Sequence, residues 1–155
     1  MFTIYSYWKV ILIYRFKEGI IMKKLILLIS IISSINANII DNYLEELKKE
    51  AKIENTKFIG FSYERGKEIY FKEMIGKRGK KISCASCHTN DLRKSGENMF
   101  TGKIIKPISP IINKKRFTKV KKIKKWLRRN FKDVYKREGT AQEKGDVLVF
   151  MNERK

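Results

Sequence analysis

The chain has 155 residues, with 36 Lys and Arg against 16 Asp and Glu and a formal net charge of +20. That length argues for one domain with a modest core. The charge favours acidic partners or an anionic membrane surface, although many of the lysines, in a chain loaded with Lys, Ile and Asn, are read as simply solvated.

Residues 1–21, MFTIYSYWKVILIYRFKEGII, are aromatic and patternless and read as an upstream overcall of the start site. Met22 then opens a three-part pattern over residues 22–37. Lys23 and Lys24 are followed by an apolar run from Leu25 to Ile35 and a small residue, Ala37. This is the layout of a secretory signal peptide, with Ile35 an imperfect residue before the cut. The run is too short for the roughly 20 apolar residues of a membrane span. Nucleic-acid binding, the usual reading of a basic domain, is argued against by export.

Residues 38–61 are expected to form a helix and a linker. DNYLEELKKEAKI offers Asp41 as a cap and Leu44, Leu47 and Ala51 as an apolar side. Residues 62–155 are expected to form the main domain. Ser62 opens SYERGKEIYFKEMIG, predicted to be a helix with Ile69, Tyr70 and Met74 on one face. Gly66 inside it costs roughly 1 kcal/mol of helix propensity, which a close helix–helix contact would repay. Lys77 to Lys81 form a basic, Gly-containing loop.

Next comes KISCASCHTND, which contains both cysteines and the only histidine of the chain. Three chemistries use these residue types. A disulfide would enclose only Ala85 and Ser86, a redox-active pattern that has no use for the following histidine. Structural zinc wants four ligands, and only Asp91 lies near enough in sequence to add to these three. The pattern C-x-x-C-H is also that of covalent c-type haem attachment. Residues three and four apart share one helix face, so Cys84, Cys87 and His88 would meet one porphyrin, with His88 as an axial ligand of iron. Use of the whole Cys and His inventory behind an export signal favours this reading.

Thr89 to Arg116 is long and poor in periodicity and contains Pro107, Pro110, Gly96 and Gly102, as expected of a loop wrapping a ligand. Thr118 then caps a predicted helix whose apolar stripe is Ile123, Trp126, Leu127, Phe131 and Val134. Asn130 falls in the middle of that stripe. A buried amide must find partners or cost ~1–3 kcal/mol. Thr140 and Glu143 make a capping box ahead of a last helix carrying Val147, Leu148 and Met151. The helices SYERGKEIY and EKGDVLVFM suit the crossing of terminal helices found in small cytochromes c.

The partner of His88 across the iron decides the function. With no second histidine, two histidines within one chain are excluded. Met74 and Met151 read as core. Met99 lies eleven residues after His88, close for reaching the opposite face of the ring. Asn130 lies far enough downstream to reach it, although an inward Asn is more often a hydrogen-bonded core residue.

In order, ERGKEIYF, SCASCHTND, TGKIIKPISP, RFTKVKKIKKWLRRNFKDV and GTAQEKGDVLVFM resemble the SHP-like monohaem cytochrome c family of exported bacterial proteins, over roughly residues 64–150. The resemblance implies an all-α, class I cytochrome c-like fold wrapped around one covalent haem c. It also implies that the Asn of the W-x-x-x-N segment, here Asn130, is a distal iron ligand that leaves on reduction and opens a site for O2, CO or NO. Trp126, Leu127 and the TGKIIKP loop would wall that site. One departure stands out: the family's oxygen-binding member has a disulfide at the positions of Phe131 and Gly139, so this chain would tether Asn130 less. Without the disulfide, Met99 stays open as the alternative ligand, which would make the protein a plain electron carrier. A peroxidase would want a distal acid–base group, so no enzyme is expected. The expected partners are a redox cytochrome, either a membrane-bound b-type or a dihaem c-type, and a small diatomic ligand in the periplasm. Neither nucleic acid nor a transmembrane span in the mature form is expected.

Overall fold

A computed structural model describes residues 39–152. The start-site and signal-peptide readings fall on residues outside these. Helix α1 occupies residues 39–54. Its buried side chains Ile40, Tyr43, Leu47 and Ala51 recur every three or four residues, the spacing of one helix face. Asp41 is exposed inside the helix and does not open it.

Helix α2, Tyr63–Phe71, begins at Ser62, whose hydroxyl accepts from the Arg65 amide at 3.3 Å. It stops at Lys72, earlier than its apolar pattern predicts. Met74 therefore belongs to a two-residue strand and not to the helix face. That strand, β1 (Met74–Ile75), pairs antiparallel with β2 (Lys81–Ile82) through a 3-10 turn at Lys77–Gly79. One helical turn follows, α3 (Ala85–His88). The long loop then contains a second small hairpin of β3 (Gly96–Glu97) and β4 (Ile104–Ile105). Helices α4 (Val120–Tyr135) and α5 (Ala141–Met151) complete the chain.

Helices α2 and α5 cross closely. A Cβ at Gly66 would lie 2.0 Å from the backbone oxygen of Asp146, so only glycine permits the approach. The Asp146 carboxylate is buried there. It accepts from the Ser62 amide at 2.6 Å and from Arg65 Nε at 2.8 Å. Around it the Phe150 ring meets Tyr63 and Tyr70 at 5.2 and 5.1 Å. The capping box of α5 forms as predicted, with Thr140 and Glu143 satisfying each other's amides. Among the described residues no helix is long and apolar enough to cross a membrane.

Candidate haem site

The turn α3 starts at Cys84, and its bonds run from the His88 amide to Cys84 O at 3.0 Å and from the Thr89 amide to Ala85 O at 2.8 Å. Cys84 and Cys87 are free thiols. Both line one cavity of about 550 Å³, as does His88. This volume lies within the range of small-molecule and cofactor sites. Burial, reinforced by Cys87, pushes the Cys84 thiol up to about 12. A dithiol redox centre needs the opposite, a thiol of lowered pKa. No group of three or more His, Cys, Asp or Glu among the described residues is arranged to hold a metal ion by itself.

Burial, with a smaller contribution from the Arg116 charge, lowers His88 to about 4. The imidazole is therefore neutral at ordinary pH, the form that ligates metals. Its Nδ1 is buried without a hydrogen-bond partner. Two free thiols three residues apart, a neutral imidazole beside them and a roomy, mainly apolar cavity fit a covalently attached haem.

Helix α4 also lines the cavity. The predicted stripe is buried at Ile123, Leu127, Phe131 and Val134, but Trp126 is 50% exposed. Trp126 stands at the edge of the cavity with Arg129 over its ring, not within the core. Asn130 is half-buried and lines the same cavity as His88. Its side chain makes no hydrogen bond to any described residue. The residue following it, Phe131, lays its ring on Gly139, where a Cβ would come within 2.8 Å of the ring. Apolar packing, with no disulfide, holds this stretch.

The β3–β4 hairpin closes one side. Asn98 and Phe100 line the cavity, whereas Met99 between them does not and is 39% exposed. The physical reason is local. The Asn98 side chain accepts from the amides of Phe100 and Thr101, both at 3.0 Å, fixing a tight turn that leaves Met99 outside the lining. The structure does not bring the alternative ligand to the site. Thr118 also departs from expectation. Its hydroxyl donates to Lys115 O at 3.1 Å, so the N-cap of α4 is Lys119, which makes no side-chain cap.

Sequence reasoning missed Arg116 and Asn113. Both line the cavity and hold the proline loop, donating to Pro107 O at 2.8 and 3.1 Å. Nothing in their spacing separates them from the other basic and polar residues of that segment.

This fold, closed around such a cavity, defines a small all-α c-type cytochrome with one covalently attached haem c. The chain belongs to the family described as a domain of unknown function (DUF1924), which matches residues 56–151. Two relatives have names. Cytochrome c'' of Methylophilus methylotrophus is 33% identical over 86 residues, 56% of this chain and 60% of the relative. The cytochrome c-type protein SHP of Cereibacter sphaeroides is 35% identical over 88 residues, 57% of this chain and 67% of that protein. The chain thus spans less than two thirds of the first. The structures agree. The solution structure of cytochrome c'', concerned with haem-ligand detachment, matches with a TM-score of 0.66 at 28% identity, covering 75% of this chain and 94% of that one. Oxidised SHP, an oxygen-binding cytochrome c, matches with a TM-score of 0.60 at 31% identity, covering 76% and 95%.

Proposed function

We propose that this cytochrome transfers electrons outside the cytoplasm and couples that transfer to binding of a small diatomic ligand, through a weak distal ligand that leaves on reduction. Cys84 and Cys87 would supply two thioethers to the haem, and His88 and Asn130 would be the residues that hold its iron. The observation carrying this reading is that half-buried Asn130 lines the same cavity as His88 and its side chain makes no hydrogen bond to any described residue.

Bound in this cavity, haem supplies a one-electron couple and an iron site open to small ligands when its distal position is free. The residues do the rest. A neutral amide is a weak donor whose attraction to a metal centre would fall with the loss of a positive charge there. Asn130 has two N–H donors in the cavity that His88 also lines, and these would be available to a small diatomic molecule. Leu127 keeps that lining apolar, and Trp126 stands at its edge. Both relatives support this reading: SHP is an oxygen-binding cytochrome c, and the cytochrome c'' structure concerns haem-ligand detachment.

The cavity lining carries Lys103, Lys106, Lys115, Arg116, Lys119 and Lys122 against one carboxylate, Asp133, and Asp133 is paired with Lys77 at 3.1 Å. Such a rim steers an acidic partner. A membrane-bound b-type or dihaem c-type cytochrome in the periplasm fits this role, with residues 22–37 as the export signal and residues 62–155 as the haem domain.

Asn130→His tests the assignment. The stronger ligand is expected to keep the reduced, haem-loaded protein low-spin and to suppress carbon monoxide binding. A variant that still becomes high-spin on reduction and binds carbon monoxide like the parent would place Asn130 away from the iron.

A further inference from the structure

The residue after His88 is in an unusual state. Thr89 has φ 65° and ψ 168°, a region populated almost solely by glycine. A threonine stays there only if its surroundings insist on it. Four hydrogen bonds do so, one of them from the Asp91 amide to the Thr89 hydroxyl at 3.3 Å. The Thr89 amide donates to Ala85 O at 2.8 Å, its hydroxyl donates to Asp91 O at 2.7 Å, and its own carbonyl accepts from the Tyr70 hydroxyl at 2.9 Å. Tyr70 is wholly buried and is the sole side chain from another helix among these partners. From another side β3 presses on the same turn. A Cβ at Gly96 would lie 2.0 Å from Cys87 O and 3.1 Å from His88 Cα.

We propose that Tyr70 is a positioning residue for the proximal ligand: its hydroxyl locks Thr89 in a strained conformation, and that lock fixes the His88 imidazole relative to the iron. The inference rests on His88 being the axial ligand. It adds a cause for the one-sided behaviour of the site, because a proximal imidazole that cannot shift leaves the distal position as the one that yields. Burial pushes the Tyr70 phenol well above its ordinary range. The donor is therefore present at every pH at which the protein works.

The test uses the haem-loaded full chain and the iron–imidazole stretching band of its reduced form. Tyr70→Phe removes the hydroxyl and keeps the ring. The band is expected to move to lower frequency and broaden, and the Thr89 amide to lose about fivefold in hydrogen-exchange protection, the size set by one neutral hydrogen bond. Thr89→Gly removes the strain without removing the bond, so it is expected to leave the band in place. In the double variant Tyr70→Phe then has nothing to release, and the band is expected to stay at the parent position. A Tyr70→Phe protein that melts earlier with an unmoved band has lost only packing, and this overturns the inference. An equal shift in the single and double variants overturns it too, by severing Tyr70 from Thr89. A reduced parent that is high-spin yet shows no iron–imidazole band overturns the assignment of His88 and this inference together, whereas a reduced parent that stays low-spin overturns the release of the distal ligand.

Discussion

The two walls of the haem cavity are built to different standards. On the His88 side, a single helical turn is gripped by the Tyr70 hydroxyl, by the close approach of Gly96 and by the α2–α5 crossing behind it. On the Asn130 side, α4 starts without a side-chain cap or an acidic residue in its first turn. Lys119, Lys121 and Lys122 stand there instead, the wrong sign for the positive end of a helix dipole. Trp126 is half-exposed, and the Asn130 side chain makes no hydrogen bond to any described residue. The contrast matches the proposed ligand assignment: an exchange at the iron would need one rigid reference and one yielding partner, and the His88 and Asn130 sides differ in that way.

The contrast can be broken most forcefully from the rigid side. Gly96→Ala drives a methyl into Cys87 O and is expected to cost on the order of 3 kcal/mol or more, read by urea unfolding of the haem-loaded protein. Trp126→Ala, at the half-exposed edge, is expected to cost less than about 1 kcal/mol. Equal losses would erase the distinction. Next in size, Asp146→Ala removes a buried carboxylate beneath the α2–α5 crossing. The half-exposed Arg65 retains water, so the loss is expected near 2 kcal/mol and not at the top of the range for buried pairs. A denaturation midpoint unchanged within error would contradict it.

The looser wall can be stiffened. Lys119→Asp gives α4 both a cap and a favourable charge, with an expected gain of about 1 kcal/mol. Melting temperature should rise and carbon monoxide should bind the reduced protein more slowly. An unchanged rate would mean that the start of α4 plays no part in gating. The smallest effect concerns acid. Glu143 sits below its ordinary carboxylate pKa, first because Arg137 pairs with it at 2.6 Å and further through the Thr140 amide. A depressed folded-state pKa gives stability that is fully present above the unfolded value and is lost as pH falls through that value toward the lower one. With partial exposure screening the pair, the contribution is under about 1 kcal/mol. Glu143→Gln should flatten the stability profile below pH ~4.5 by that amount and leave neutral pH spectra untouched.

Much of this was legible in the residues. The C-x-x-C-H run announced its chemistry because covalent haem attachment needs those atoms at that spacing. Gly66 and the Thr140–Glu143 box were readable because close crossing and capping are local demands. Asn130 stood out as an amide inside an apolar stripe. The failures have physical causes as well. Trp126 fits the helical period, but period alone cannot tell core from cavity edge. Thr118 is a good cap by type, yet its hydroxyl is used by Lys115 O. Met99 is near in sequence, but a turn built on the Asn98 side chain leaves it outside the lining. The strain at Thr89 and the Tyr70 bond to it span 19 residues, and no pattern within the haem motif predicts them.

The most direct measurement is a pair of absorption spectra, oxidised and then reduced without air, for the haem-loaded protein and for Asn130→Ala, with carbon monoxide added to the reduced samples. The account predicts a low-spin oxidised parent that turns high-spin on reduction and binds carbon monoxide at once, and a variant that has lost the oxidised low-spin form. A reduced parent that stays low-spin, ignores carbon monoxide and is unchanged by the substitution would contradict it.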